Sequence, residues 1–155
     1  MSTFYSGQNG RLLIDGTTAG KVTTWSITSS MSPLATTTLE DTDQTFISGL
    51  RNTTGSCRLY YYDDTSGTST VNSAQKLIDK VMKVRKDTTI TGDPGVADVP
   101  DSVELQLQVV EGATTREIKV DALVTSAVMT MAIGEVLAAD IAFQVNGAPT
   151  VVKLL

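Results

Sequence analysis

Apolar and polar residues alternate along most of this chain with a period of two, the spacing that sends successive side chains to opposite faces of a β-strand. Runs of this kind lie at residues 10 to 15, 21 to 30, 34 to 40, 55 to 63, 102 to 111, 116 to 131 and 134 to 146. Turn formers separate most of them: Asp15-Gly16, Ser32-Pro33, Gly49, Gly55, Glu111-Gly112, Gly134 and Asn146-Gly147. The faces are legible within each run. Trp25 and Ile27 oppose Thr24, Ser26 and Thr28; Cys57, Leu59 and Tyr61 oppose Ser56, Arg58, Tyr60 and Tyr62. Leu105, Leu107 and Val109 oppose Glu104, Gln106 and Gln108, and Leu137, Ala139, Ile141, Phe143 and Val145 oppose Asp140 and Gln144. One dry and one wet face per strand is the pattern of antiparallel sheets.

One segment changes period. From Asn72 to Lys86 the apolar residues Ala74, Leu77, Ile78, Val81 and Val84 fall at helical spacing. Asn72 and Gln75 form a capping-box pattern, and Asp79 and Lys83 an i,i+4 pair. The sequence thus predicts a single, mainly β domain over 1 to 155 with one helix against it. Two long irregular stretches are expected, 41 to 54 and 87 to 101, the second broken by Gly92, Pro94, Gly95 and Pro100. Phe46, Ile47 and Leu50 are apolar within the first stretch, and Val151, Val152, Leu154 and Leu155 within the tail 147 to 155. Apolar residues in a polar loop or tail gain by docking on something, so both segments are candidate subunit contacts.

Composition narrows the chemistry. The 155 residues contain no histidine and one cysteine, Cys57. That removes histidine-based nucleophile systems, histidine metal sites, zinc clusters and internal disulfides. Gly92-Asp93-Pro94-Gly95 lacks the Gly-Lys-Ser/Thr ending of a phosphate loop. No run approaches the roughly 18 apolar residues of a membrane span, and the opening MSTFYSGQNG has neither the basic nor the apolar part of a signal peptide. The net charge is −5, with a basic window at 76 to 86 of +4. A protein built to grip nucleic acid has the opposite balance. No cofactor or metal is expected.

Individual residues have sharp and bland readings. Trp25 could stack a ligand, but Ile27 shares its face and places it in the core. Tyr61 belongs to the core and Tyr60 and Tyr62 to the rim of an interface. Asp41 with Asp43, and Asp63 with Asp64, lack a calcium-loop spacing and read as solvated acids. Glu40 and Asp140 could pair as glycosidase carboxylates, though any acidic chain offers such pairs. The basic helix face reads as solvated or as a subunit contact.

The order of these pieces resembles the bacteriophage major tail tube protein family. The resembling stretches are KVTTWSITSS at 21 to 30, GLRNTTGS at 49 to 56, RLYYYDD at 58 to 64, the helix after them, and GEVLAADIAFQVNGAP at 134 to 149. The resemblance implies two packed sheets, a sandwich or partial barrel, with one flanking helix. It implies rings of six copies that stack into a virion tail tube, assembled in the bacterial cytoplasm, with tape measure, tail terminator and baseplate proteins as partners. It implies a conduit that DNA crosses without specific binding, and no membrane partner. Geometry accommodates this: if each copy gives four strands, twenty-four strands about 4.8 Å apart and tilted near 45° close at a radius of roughly 25 Å. On that reading Thr24, Thr28, Thr38, Glu40, Asp140 and Gln144 are the candidates for the channel wall. They come from the polar sides of the runs at 21 to 30, 34 to 40, 116 to 131 and 134 to 146, read as two hairpins. Phe46, Ile47, Leu50, Val151, Val152, Leu154 and Leu155 are the candidates for ring stacking. The alternatives are a secretion-system tube of the same structural lineage and a carbohydrate-binding β-sandwich that exposes Trp25 and the tyrosines.

Overall fold

The computed structural model describes residues 10–18, 22–60, 64–66, 69–71, 77–82 and 101–154. Ten strands follow one another: β1 (Gly10–Ile14), β2 (Thr17–Thr18), β3 (Val22–Ala35), β4 (Phe46–Tyr60), β5 (Asp64–Ser66), β6 (Ser69–Val71), β7 (Ser102–Glu111), β8 (Thr114–Thr130), β9 (Ala138–Val145) and β10 (Val151–Lys153). β5 and β6 make a small separate hairpin. The others form one antiparallel sheet in the order β2-β1-β7-β8-β9-β4-β3, with β10 beside β8. Among the described residues the sheet is open: it curls until β1 comes near β3, with no strand pairing between them.

The two separate sheets that the resemblance implied are here one sheet, and β8 is the reason. Its residues 114 to 123 pair with β7, and its residues 122 to 130 pair with β9. A bulge at Thr125, between Val124 and Ser126, marks the change, and a bulge bends the strand that carries it. The inner faces of both halves therefore share a core without the chain leaving the sheet. Leu12 and Ile14 of β1, Val103, Leu105 and Leu107 of β7, and Val120 and Ala122 of β8 supply one side. Cys57 and Leu59 of β4 and Ala139, Ile141, Phe143 and Val145 of β9 supply the other. Full burial of each large side chain contributes roughly 1.5–3 kcal/mol.

The strands read from alternation hold at β1, β7 and β8, and turns with positive φ at Gly16, Gly112, Gly134 and Gly147 follow the sequence breaks. Three readings need correction. The runs at 21 to 30 and 34 to 40 are one strand, β3, which passes through Pro33 and ends at Ala35. Among the described strands β3 pairs with β4 alone and is an edge strand, so a residue without an N–H is tolerated there. The stretch 41 to 54 is largely strand rather than loop, because β4 begins at Phe46 and only 36 to 45 connects β3 to β4. Gly49 and Gly55 lie inside β4, where they admit close neighbours instead of ending a run. A Cβ on Gly49 would stand 2.0 Å from the Ser32 carbonyl oxygen, and one on Gly55 2.6 Å from the Ser26 carbonyl oxygen. Finally, the run at 134 to 146 starts later, at Ala138.

Of the expected helix from Asn72 to Lys86, only Leu77–Met82 lies within the described residues. Leu77 and Ile78 are helical and buried in the core, and the Met82 N–H donates to the Ile78 carbonyl at 2.8 Å. Residues 87 to 100 and Tyr61 to Asp63 lie outside the described residues. The tail carries a short strand: β10 pairs with Glu117–Lys119 of β8, and Arg116 Nε donates to the Leu154 carbonyl at 3.1 Å.

Candidate functional site

The register of β3, β4, β9 and β8 builds a four-stranded array with two unlike faces. Trp25, Cys57, Ile141 and Ala127 stand in one row across the strands, and Ile27, Gly55, Phe143 and Val124 in another. These rows face the core; Trp25 and Ile27 are partly buried against it. The intervening rows face outward. They read Thr28, Thr54, Gln144 and Leu123; then Ser26, Ser56, Ala142 and Ser126; then Thr24, Arg58, Asp140 and Val128; and last Tyr60 and Thr130 on either side of Ala138, which is itself buried.

Four of the six wall candidates, Thr24, Thr28, Asp140 and Gln144, share this outer face. Thr38 and Glu40 do not reach it. They stand in the β3–β4 connection, where Asp41 Oδ2 accepts from the Thr38 N–H at 2.6 Å and from the Thr38 hydroxyl at 3.1 Å. Thr36 and Thr45 hydroxyls meet at 2.9 Å, and the Thr45 N–H donates to Thr37 Oγ1 at 3.1 Å. The threonine run thus ties the loop together instead of extending a strand.

The polar face is knit by short contacts across strands. The Ser26 and Ser56 hydroxyls lie 3.0 Å apart, and Gln144 Nε2 donates to Asn52 Oδ1 and, at 3.0 Å, to the Thr53 carbonyl. Arg58 Nη1 approaches Asp140 Oδ2 at 3.4 Å across the β4–β9 ladder, with both side chains about half exposed. Thr24, Ser56, Ser126, Val128 and Ala142 border a shallow depression around that pair. Arg58 is the residue the sequence reading missed as a site candidate. Its signal was its position on the polar phase of a strand that also holds Cys57 and Leu59.

Two edges of this array lack a strand partner among the described residues. One is the outer edge of β3; the other is the distal part of β8, from Val124 to Thr130, where β7 has ended at Ser102 opposite Leu123. Successive antiparallel pairings make β3 run opposite to β8.

The stacking candidates occupy two places. β3 and β4 continue past the end of β9 as a two-stranded arm, with Phe46 opposite Ala35 and Ile47 opposite Leu34. Phe46 and Leu50 are 53% and 88% exposed, and Met31, Leu34, Leu39 and Ile47 are exposed around them. In the tail, Val152 and Leu154 are exposed and Val151 is half-buried on β10; Leu155 lies outside the described residues. Among the described residues no three carboxylate or thiol side chains converge on a metal position, and no helix is long and apolar enough to cross a membrane.

No family model matches the chain, and no curated protein matches it. Solved structures do. A chain of the SPP1 tail tube is similar over 92% of this chain and 76% of its own, with 13% identity and a TM-score of 0.58. A chain from the tail of the empty gene transfer agent particle, which has C6 symmetry, is similar over 94% and 96%, with 13% identity and a TM-score of 0.57. The tube-terminating cap of the anti-feeding prophage is similar over 94% and 89%, with 9% identity and a TM-score of 0.64. The fold of this chain is thus the one found in tail and tube proteins.

Proposed function

We propose that this chain is a structural virion protein that self-assembles into stacked rings of six, forming a tail tube through which a genome passes. The observation that carries the reading is the pair of open, oppositely running edges on a sheet whose fold is that of tail tube proteins. A ring neighbour in the same orientation would set its distal β8 beside β3. The strands would be antiparallel there, so the ladder would continue from copy to copy. Each copy would contribute four strands, and the number of copies would set the bore. The sixfold symmetry of the gene transfer agent tail supports six.

On this reading the polar face of β3, β4, β9 and β8 becomes the channel wall, and the core face packs against the rest of the chain. The β3–β4 arm and the tail extend to the adjoining ring. Leu77 and Ile78, helical and buried in the core, would lie outside the wall. Tape measure, terminator and baseplate proteins would meet the assembled tube, and assembly would take place in the host cytoplasm. The role needs no catalytic group.

Negative-stain microscopy of the purified full chain is the direct test. Rings or tubes with a central channel are expected. A monodisperse monomer at every concentration and salt tried would overturn the proposal. The similarity to a prophage tube cap favours a second reading in the same lineage, a tube of a contractile injection system; a packaged genome in the native particle decides against it. A carbohydrate-binding role has less support, because Trp25 packs against the core.

A further inference from the structure

Within the outward rows of the four-stranded array, Arg58 and Asp140 are the only side chains charged at neutral pH. They are direct partners in the β4–β9 register, and their side chains touch at 3.4 Å. The rest of the surface is hydroxyl, amide, phenol and apolar. Asp121, exposed on β8 two residues from Leu123, lies beyond these rows. The chain carries a net charge of −5, yet the set of rows is electrically balanced. Its one cation has its own anion beside it.

We infer that Asp140 masks Arg58: it holds the guanidinium against the wall and cancels its charge, so that the face does not retain a polyanion. The partner this surface fits is a phosphate backbone that passes without binding. An unmasked arginine would do the opposite, because guanidinium pairs with phosphate through two parallel N–H donors. Repeated once per copy around a ring and once per ring along a tube, such sites would add up to a phosphate-binding wall whose affinity falls steeply with salt. Val128 flanks Asp140 in the β8 register and carries no charge, so no second acid in that row can take over the masking. The inference rests on the reading of this face as the wall of a genome conduit.

The pair is half exposed, so replacing Asp140 leaves no buried charge stranded. The test compares full-length wild type, Asp140→Asn, Arg58→Gln, the double variant and Asp43→Asn, each checked by thermal melt and microscopy. Binding of a fluorescent duplex oligonucleotide is read by anisotropy at low and high salt. Asp140→Asn should bind at least about tenfold more tightly than wild type at low salt, with a steeper salt slope. The double variant, which restores the wild-type net charge, should return to wild-type binding. Asp43→Asn raises net charge equally but lies in the β3–β4 loop, and should leave binding unchanged.

Equal binding by Asp140→Asn and wild type would overturn the inference. So would tight binding that survives Arg58→Gln, or that Asp43→Asn reproduces. Microscopy separates this from the proposed function. Tubes without a gain in binding refute the masking role alone. Absence of rings in wild type refutes the tube reading, while the binding series still decides the role of Asp140.

Discussion

Phe143 of β9 lies across Gly55 of β4: a Cβ added to the glycine would stand 2.4 Å from the ring's Cζ. The two are register partners on the core face, so the aromatic ring fills the space that a side chain on Gly55 would occupy. Ser26 of β3 presses from the other side, its carbonyl oxygen 2.6 Å from the same Cβ position. Gly55→Ala should therefore destabilise the fold by about 1–3 kcal/mol through overpacking. Urea or guanidinium unfolding measures this directly, and an unchanged midpoint would show that the array relaxes freely around the glycine.

The β3–β4 arm should separate stacking from folding. Its apolar residues are exposed and contribute little to the core, so Phe46→Ser together with Leu50→Ser should shift stability by no more than about 0.5 kcal/mol. The same double variant should sharply reduce tube length in microscopy. A large drop in melting temperature, matching the loss of tubes, would make these residues part of the fold.

Truncation after Gly147 removes β10 and with it the Thr150 N–H bond to the Lys119 carbonyl at 2.9 Å. The core strands keep their partners, so the shortened chain should fold with a modest loss of stability. The edge of β8 at Glu117–Lys119 loses its cover, and Val151, Val152 and Leu154 are no longer available to a neighbour. Tubes should not form. Normal polymerisation of the truncated chain would remove the tail from the list of assembly contacts.

Cys57 gives a pH prediction with a defined sign. Burial, and secondarily the charge of Asp140, push its thiol from 9.0 up to about 12. Below pH 9.0 the thiol is protonated in both folded and unfolded chains, and its contribution to stability is complete. Between 9.0 and about 12 the unfolded chain ionises while the folded chain keeps its proton, so stability falls as pH rises. The slope from this one group approaches roughly 1.4 kcal/mol per pH unit, and Cys57→Ala should lack it. Thiol reagents at neutral pH should label the native chain slowly and the unfolded chain at once.

Sequence pattern reached the elements whose ends carry a local signal. β7 and β8 are separated by Glu111-Gly112, and β9 and β10 by Asn146-Gly147, with the glycines at positive φ. β4 was misread because its glycines serve distant partners. Gly49 makes room for the Ser32 backbone and Gly55 for Phe143, and neither requirement is visible within a window of neighbouring residues. Pro33 misled for a related reason: it stops a central strand but not an edge strand, and edge position is a property of the whole sheet. The site followed the same division. Thr24, Thr28, Asp140 and Gln144 were legible as polar phases of strands. Arg58 as the partner of Asp140 was not, since 82 residues separate them and only the register joins them.

β8 has a mechanical consequence. Its 17 residues span about 56 Å at the rise of an extended strand. A peptide backbone held in a ladder barely stretches, so β8 is a stiff tie between the β1–β7 half of the sheet and the β9–β4–β3 half with open edges. A load applied at Val124–Thr130 by a neighbouring copy would travel along covalent bonds into the β1–β7 side, with the bulge at Thr125 as the elbow. Bending of an assembly would then be taken up between copies and at that elbow, before any strand inside one copy slipped.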